Sequence, residues 1–367
     1  MWHQPRVVGL GLLVGLVATG TDAEAQRKRE IDLLVERTLV RPVVKTEAGF
    51  TATLLVPPGN LYDPLAMQPR DNGVWVADDG AQEGQRGGRI WSIDFKGRVS
   101  TLVETVRLLP TLSFDMAPAT FGQFAGQLIL FTQPRVGQLG IWENHLIQHL
   151  DLKGREAARP VCTLPNAGTN NGIPGAGLGA RFGPPGSPFG DRFFAVTLNN
   201  STVYQMTADG ACKPFVTFAG PWTTPSNLAF LPDGSRMLTA VKSGRPGADS
   251  SSPVSGAILA IAPDGTIDPT PVVVMQGEGV WTIAVAPRTF GPYAGQIFFA
   301  TRGGEGANGK IYRLAPDGRP HLVASGFFMP FGMTFANDAL WVGDVQEDYI
   351  GGGVHWPDGF VVTIRRN

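Results

Sequence analysis

"KIYRLAPDG", residues 310–318, is a short apolar strand pattern that ends in a tight turn, and the pattern recurs along the chain. The other copies are "RIWSIDFKG" (89–97), "HLIQHLDLKG" (145–154), "TVYQMTADG" (202–210) and "AILAIAPDG" (257–265). Their final glycines lie 57, 56, 55 and 53 residues apart in chain order, and each is expected to take a positive φ in its hairpin. Even spacing of this length, in sequence typical of strand and turn, predicts the blades of a β-propeller.

A second pattern, apolar on both faces of its strand, precedes the turn pattern within a repeat. It is "FGPYAGQIFFATRGG" at 290–304 and "FGQFAGQLILFTQPR" at 121–135. A strand covered on both faces suits a blade stacked between two neighbours. With one more short strand ahead of it, each repeat is predicted to hold four strands. The 48 Gly, 30 Pro and 17% charged residues also favour an all-β chain.

The two ends of the chain complement each other. "GFVVTIRRN" (359–367) matches the turn pattern but stops where the turn should come, and "EAGFTATLLV" (47–56) supplies the missing outer strand, with Gly49 in the place of the turn glycine. Pairing the two segments satisfies both exposed strand edges. The sequence therefore predicts an all-β, six-bladed β-propeller with four-stranded blades, closed by an N-terminal strand that pairs with a C-terminal strand.

Residues 1–25 have the features of a secretory signal peptide: Arg6, an apolar stretch of about 12 residues, and an A-E-A cleavage site at 23–25. That stretch is shorter than the roughly 20 residues of a membrane-spanning helix, and no later segment is long enough either. We expect a secreted or periplasmic monomer without a membrane span. An N-terminal extension at 26–48 is expected to precede the propeller domain at 49–367.

The chain has two cysteines, Cys162 and Cys212. An even pair in an oxidising compartment predicts a disulfide. The alternative is two buried free thiols, which behave as small hydrophobic side chains.

Several classes of function leave no trace in the sequence. The 30 Lys and Arg nearly balance the 31 Asp and Glu, so charge offers no case for nucleic acid or an anionic membrane as partner. We find no G-x-S-x-G, C-x-x-C or Walker pattern. His145 and His149 have the spacing H-x-x-x-H, but they lie in a predicted strand and are expected to form a solvent-facing pair. The expected partner is a small-molecule or carbohydrate-like ligand.

Oxygen-bearing residues occur where the first strand of several repeats begins. In a four-stranded blade these positions, and those that follow the second strand, surround one mouth of the central channel. Asp63, Asn171, Asn227 and Glu278 are candidate ligands for a hard cation such as Ca²⁺. The alternative is that these side chains cap turns or bind water in the channel.

The positions after the second strands form a second set, and some of their loops are long. They include Asp78, Asp344, Lys242 and Arg302, with His355 and Trp356 at the end of the last loop. Long loops gathered on one face commonly make a binding rim. We predict that Lys242, Arg302, His355 and Trp356 contact the substrate; the alternative is that the loops are only solvated connections.

Several phrases carry a family resemblance: "GRIWSID" (88–94), "PSNLAFLPDG" (225–234), "GKIYRLAPDG" (309–318) and "PFGMTF" (330–335). With the six-fold repeat, they resemble the SMP-30/gluconolactonase/LRE-like six-bladed propellers, and the NHL-type and strictosidine-synthase-like propellers are similar at this level. The resemblance covers nearly the whole chain after residue 25. The first repeat has "YDP" where that family has "EGP", so Asp63 takes the place of the glutamate.

The resemblance implies a metal-dependent hydrolase of sugar-lactone type, with Ca²⁺ or Zn²⁺ polarising the lactone carbonyl for attack by water. In this sequence Asp63 and Asn227 would hold the metal, Asn171 would complete its shell, and Asp344 or Asp78 would act as the base.

Two other hypotheses stay open. The first is a non-catalytic NHL-like binding propeller, which the missing catalytic signature favours. The second is a quinoprotein-type sugar dehydrogenase, for which His355 would be the base and Lys242 and Arg302 the cations around the cofactor.

Overall fold

The computed structural model describes residues 42–78, 88–104, 107–132, 135–136, 141–142, 144–165, 176–198, 200–243, 255–302, 308–345 and 357–367. These residues form six antiparallel sheets of at least four strands, and neighbouring sheets contact each other through their first strands. The fold is a six-bladed β-propeller, which confirms the prediction from the sequence. Two three-residue 3-10 helices, Gly122–Phe124 and Gly291–Tyr293, lie ahead of the second strands of blades 2 and 5.

The strands are labelled in chain order, and each blade is given from its innermost strand outward. Blade 1 holds β3 (Pro64–Arg70), β4 (Gly73–Asp78), β5 (Arg89–Asp94) and β6 (Val99–Val103); blade 2 holds β7 (Thr111–Met116), β8 (Leu128–Thr132), β11 (His145–Leu150) and β12 (Arg159–Leu164); blade 3 holds β13 (Ala176–Phe182), β14 (Arg192–Thr197), β15 (Thr202–Thr207) and β16 (Cys212–Thr217). Blade 4 holds β17 (Trp222–Phe230), β18 (Met237–Ser243), β19 (Gly256–Ile261) and β20 (Val273–Met275); blade 5 holds β21 (Gly279–Val285), β22 (Ile297–Arg302), β23 (Gly309–Leu314) and β24 (Pro320–Phe327); blade 6 holds β25 (Pro330–Ala336), β26 (Ala339–Asp344), β27 (Gly359–Arg366) and β2 (Phe50–Leu61). A small hairpin, β9 (Arg135–Val136) and β10 (Ile141–Trp142), follows β8.

The chain termini close the ring as predicted. Strand β2 pairs antiparallel with β27 from Phe50 opposite Arg366 to Leu61 opposite Gly359. The N-terminal segment also reaches the neighbouring blade, because β1 (Lys45–Thr46) pairs with β24 and gives blade 5 a fifth strand. Two residues of the predicted N-terminal extension at 26–48 therefore belong to a sheet.

The turn glycines behave as expected in four of the five copies. Gly97, Gly210, Gly265 and Gly318 have φ between 77° and 90°. At Gly97 a β-carbon would also lie 2.4 Å from the Leu55 carbonyl oxygen, so the turn packs directly against β2. Gly154 is the exception, because its φ is not positive and residues 151–158 form a longer connection.

The core lies between the blades. Strand β8 is buried at every residue, as its apolar pattern predicts, and Phe131 and Phe193 pack together between blades 2 and 3. His145 also lies in this core, fully buried with its ring 4.9 Å from that of Phe131. The expectation of a solvent-facing histidine pair is therefore wrong for His145, because its strand is covered on the face that carries it.

A disulfide joins Cys162 of β12 to Cys212 of β16, with 6.4 Å between the Cα atoms. It links the outer strands of blades 2 and 3. Among the residues that the structure describes, no helix has the length and apolar character needed to cross a membrane.

Candidate functional site

The candidate site lies where the first strands begin. In blade 1, Pro64 at the start of β3 pairs with Asp78 at the end of β4, and in blade 6 Pro330 pairs with Asp344 in the same way. The first strands of neighbouring blades contact one another around the ring. The starts of first strands and the ends of second strands therefore gather on one face, which we call the channel mouth.

The middle of the channel is narrow. Its described lining includes Gln68, Ser113, Arg181, Asn227 and Thr282, and its cavity of about 10 Å³ is room for about one water molecule. A substrate-sized molecule does not fit there, so the channel mouth is the place to look for a site.

Asp78 and Asp344 make similar backbone contacts at the mouth. The Asp78 carboxylate accepts hydrogen bonds from the backbone N–H groups of Tyr62 and Asp63, each at 3.0 Å, and also from the Trp91 indole N–H at 2.8 Å. The Asp344 carboxylate accepts them from Phe328 at 2.8 Å and Met329 at 2.6 Å. Each carboxylate thus holds the two residues that lead into the first strand of its blade. Both side chains were predicted to be catalytic bases; these contacts do not test that role.

Asp344 is fully buried, and its ionisation reflects this. Burial raises its pKa to about 8, and the nearby Asp358 carboxylate acts in the same direction. The two backbone N–H donors and Arg302 oppose the increase. Asp358 is itself 6% exposed, so two carboxyl groups lie under the blade 6 side of the mouth.

Five side chains from blades 4, 5 and 6 form what we call the channel-mouth cluster: Lys242, Trp281, Arg302, Met329 and Phe331. The Lys242 Nζ lies 3.2 Å from the centroid of the Trp281 ring, and that ring lies 4.8 Å from the ring of Phe331. The Arg302 guanidinium donates to the Met329 sulfur at 3.0 Å. The cluster combines two cations with an apolar, partly exposed wall.

Lys242 has an unusual environment for a lysine. It is 7% exposed, and among the described residues no hydrogen bond or ion pair involves its ammonium group; the Trp281 ring is its contact. Burial and, to a smaller extent, the positive charge of Arg302 lower its pKa from 10.5 to about 7. A lysine whose pKa is lowered in this way is a recognised candidate for a functional group.

Glu278, a predicted metal ligand, has its hydrogen-bond partners on blade 5. Its carboxylate accepts hydrogen bonds from the Thr301 hydroxyl at 2.6 Å and from the Lys310 ammonium at 2.5 Å. The side-chain hydrogen bond to Glu278 raises the pKa of Lys310. Glu278 is thus half of an ion pair on its own blade.

The other predicted site residues are dispersed or lie outside the described residues. Asn227 lines the narrow middle of the channel, whereas Asp63 is buried at the mouth, where its backbone N–H donates to Asp78. Asn171, His355 and Trp356 lie outside the described residues. The structure therefore brings Lys242 and Arg302 together and leaves Asp63, Asn227 and Glu278 in three different settings.

Among the predicted ligands, the contacts of Glu278 are with a lysine and a threonine. Within the described ranges no three His, Cys, Asp or Glu side chains are grouped so that they could hold an ion. The predicted set of Asp63, Asn171 and Asn227 includes two asparagines, of which Asn171 lies outside the described residues, so it stays a prediction. A Ca²⁺ ion takes six to eight oxygen ligands. We therefore derive no chemistry through a metal from these residues.

Trp281 and Phe331 are not among the site residues predicted from the sequence. Both occupy a register irregularity near the start of a first strand: Trp281 between the pairs Val280–Thr301 and Thr282–Ala300, and Phe331 between Pro330–Asp344 and Gly332–Gly343. An extra residue at such a bulge redirects its side chain. The signal was present in "VWTIAV" and "PFGMTF", where an aromatic residue precedes the position taken as the start of the strand.

Comparison with known proteins supports the fold. No protein-family model and no curated protein sequence matches the chain. Among solved structures, the PQQ-bound aldose sugar dehydrogenase of Streptomyces coelicolor is similar with a TM-score of 0.57 and 16% identity, covering 88% of this chain and 100% of that one. A candidate gluconolactonase gives 0.53 and 13%, over 88% and 94% of the two chains. Virginiamycin B lyase from Staphylococcus aureus gives 0.48 and 16%, over 87% and 100%.

At these identities the likeness concerns the fold alone. The similar structures are six-bladed propellers of the gluconolactonase-like and sugar dehydrogenase kinds.

Proposed function

We propose that the channel-mouth cluster binds a small molecule that carries a carboxylate, of the sugar-acid or related hydroxy-acid class. The observation that carries the proposal is the pair of cations Lys242 and Arg302, close enough to lower the Lys242 pKa, with no acidic side chain paired to Lys242 among the described residues. Two like charges in a largely buried place are costly. A bound anion offsets that cost by placing a negative charge beside Lys242.

The rest of the cluster suits the apolar part of such a ligand. Trp281 and Phe331 pack together as a partly exposed aromatic wall, and Met329 adds a polarisable contact beside Arg302. Small-molecule sites are commonly lined by apolar and aromatic side chains with a few well-placed polar groups that set the orientation of the ligand. A ring compound with one acidic group matches this combination.

The sequence-based hypothesis of lactone hydrolysis is related to this ligand class, because opening a sugar lactone yields a sugar carboxylate. An amine with a pKa near 7 is suited to act as a general base, and a guanidinium is suited to stabilise a developing oxyanion. Lys242 and Arg302 are the described residues that match those two roles. We keep sugar-lactone hydrolysis as the second proposed function; it is tested with a lactone panel in the presence and absence of chelator.

The non-catalytic binding hypothesis predicts the same ligand without turnover, so the lactone panel distinguishes the two. The quinoprotein hypothesis also uses Lys242 and Arg302, since a quinone cofactor with carboxylates is a planar anion. Its base, His355, lies outside the described residues. A quinone absorbance band in the purified protein, or after incubation with the cofactor, tests it.

The proposed function is tested by calorimetric titration of gluconate, with glucose as the uncharged comparison. We expect gluconate to bind and glucose to bind at least about tenfold more weakly, because a charge-assisted contact contributes about 1.5 to 3 kcal/mol. Lys242→Met should abolish the difference. Lys310→Met is the matched control, since Lys310 is paired with Glu278. Equal binding of gluconate and glucose, or an equal effect of the two substitutions, would overturn the proposal.

A further inference from the structure

We infer that the Lys242 amine is a nucleophile that forms an imine with the carbonyl group of an aldehydo or keto acid bound at the channel mouth. The inference rests on the proposed function, because it places the carboxylate of that ligand beside Arg302. It goes further by naming the reactive atom and a substrate class that carries both a carbonyl and a carboxylate.

The geometry provides an amine that is enclosed and still reachable. Lys242 lies at the end of β18 with 7% of its surface exposed. The small part of its surface that stays exposed is where a small molecule would reach the amine. The Trp281 ring 3.2 Å away holds the side chain over an apolar surface, and among the described residues no carboxylate forms an ion pair with the amine.

The state of the amine agrees with this geometry. Only an unprotonated lysine attacks a carbonyl carbon, and an ordinary lysine in water is almost entirely protonated at neutral pH. The Lys242 pKa, lowered to about 7 by burial and then by Arg302, leaves about half of the molecules with a neutral amine at pH 7. Desolvation next to another cation is an established way of activating a lysine.

The step balances without an oxidant or a reductant. The Nζ lone pair attacks the carbonyl carbon, the C–N bond forms as the carbonyl π bond breaks, and a proton moves from the nitrogen to the oxygen to give a neutral carbinolamine. The hydroxyl then takes up a proton from solvent and leaves as water while the nitrogen lone pair forms the C=N bond. The protonated imine carries the positive charge of that proton over the Trp281 ring, which favours a cation on its face.

The chain contains a matched lysine for comparison. Lys310 is more exposed, with 36% of its side chain accessible, but it is 2.5 Å from the Glu278 carboxylate. The hydrogen bond and charge of that carboxylate raise its pKa. Exposure alone therefore predicts faster modification of Lys310, whereas amine activation predicts faster modification of Lys242.

The test is reductive trapping on the full-length protein at pH 7 with cyanoborohydride. The probes are glyoxylate, an aldehyde with a carboxylate, and propanal, an uncharged aldehyde. Peptide mass mapping follows the modification of each lysine over time. We expect glyoxylate to modify Lys242 at least about tenfold faster than Lys310, because the fraction of neutral amine differs by more than that factor. Propanal should modify Lys242 more slowly than glyoxylate does, and Arg302→Gln should reduce this preference.

The outcomes separate the two proposals. If gluconate binds through Lys242 but glyoxylate modifies Lys242 no faster than Lys310, the imine inference is wrong and the proposed carboxylate site stands. If no carboxylate binds and propanal modifies Lys242 as fast as glyoxylate, the proposed function fails while the activated amine remains. If either probe modifies Lys242 more slowly than the more exposed Lys310, the inference is contradicted.

Discussion

Asp78 and Asp344 occupy the same position in blades 1 and 6, at the end of the second strand, and each binds the two backbone N–H groups that precede the first strand of its blade. By strand register, Thr132, Thr197 and Thr301 occupy this position in blades 2, 3 and 5, and Val241 occupies it in blade 4. The two aspartates therefore belong to blade 6, which contains the seam between β2 and β27 where the ring closes, and to the neighbouring blade 1. There the carboxylates hold the two loops against their blades.

The first prediction concerns these two carboxylates. Asp344→Ala and Asp78→Ala should each lower the free energy of unfolding by about 2 to 5 kcal/mol, because each change removes the acceptor of two buried or partly buried backbone N–H groups, and at Asp78 also that of the Trp91 indole. Urea unfolding measures the loss. Asp317→Ala, in an exposed turn where the carboxylate accepts from Arg319 N–H, is the control and should have a much smaller effect. Similar losses of stability from all three variants would contradict the role of Asp78 and Asp344 in holding these loops.

The second prediction concerns ring closure through β2. Leu61 and Leu54 lie in this strand, but Leu61 is fully buried and Leu54 is 40% exposed. Leu61→Ala should cost about 2 to 5 kcal/mol of stability by leaving a cavity in the seam. Leu54→Ala should change stability by less than about 1 kcal/mol. Thermal unfolding of the two variants makes the comparison, and an equal cost would show that the seam contributes little to stability.

The third prediction concerns Lys242 and pH. Its pKa falls from 10.5 to about 7 on folding, so between these values the unfolded chain binds more protons than the folded one, and stability rises with pH across this window. Below about pH 7 the lysine is protonated in both states and the full cost of burying its charge is present, at most about 5 kcal/mol.

Lys242→Met should therefore be more stable than the wild type at pH 6, and this advantage should shrink towards pH 10. Urea unfolding at both values measures the difference. Lys310→Met controls for the loss of a lysine whose pKa moves in the other direction. An advantage that stays constant with pH would mean that Lys242 titrates normally in the folded protein.

The fourth prediction concerns the disulfide between blades 2 and 3. Cys162 and Cys212 are 50 residues apart, and a bridge across a loop of this length contributes about 2 to 4 kcal/mol, chiefly by restricting the unfolded chain. The double variant Cys162→Ser/Cys212→Ser should lose that amount in urea unfolding. Dithiothreitol should destabilise the wild type by a similar amount and leave the double variant unchanged.

The architecture was predictable from local signals. Turn glycines such as Gly97 and Gly318 mark a position where most other residues are strained, so their spacing marks the blades. The incomplete repeat at 359–367 and the strand that begins at Phe50 could be matched for the same reason. Gly154 shows the limit of this signal, since a glycine in the right place does not by itself fix the conformation of the turn.

The site was predictable only in part. Lys242 and Arg302 could be selected because each follows a second strand, and the structure brings them together. Glu278 had the right residue type and the right place in its repeat, yet its side chain turns outward to Lys310, which lies more than thirty residues later in the sequence. Trp281 and Phe331 were missed because a bulge, which period-two counting does not reveal, directs them to the mouth.

The amino-acid sequence alone determined the number of blades, their strand order and the pairing of the two chain ends, because turn chemistry and apolar periodicity act over a few residues at a time. The tertiary structure alone decided which charged side chains lie close together and which of them have a shifted pKa. Closing the ring brings Lys242 of blade 4 and Trp281 and Arg302 of blade 5 next to Phe331 of blade 6. The loss of water around Lys242 then lowers its proton affinity, and that loss depends on packing that no local stretch of sequence encodes.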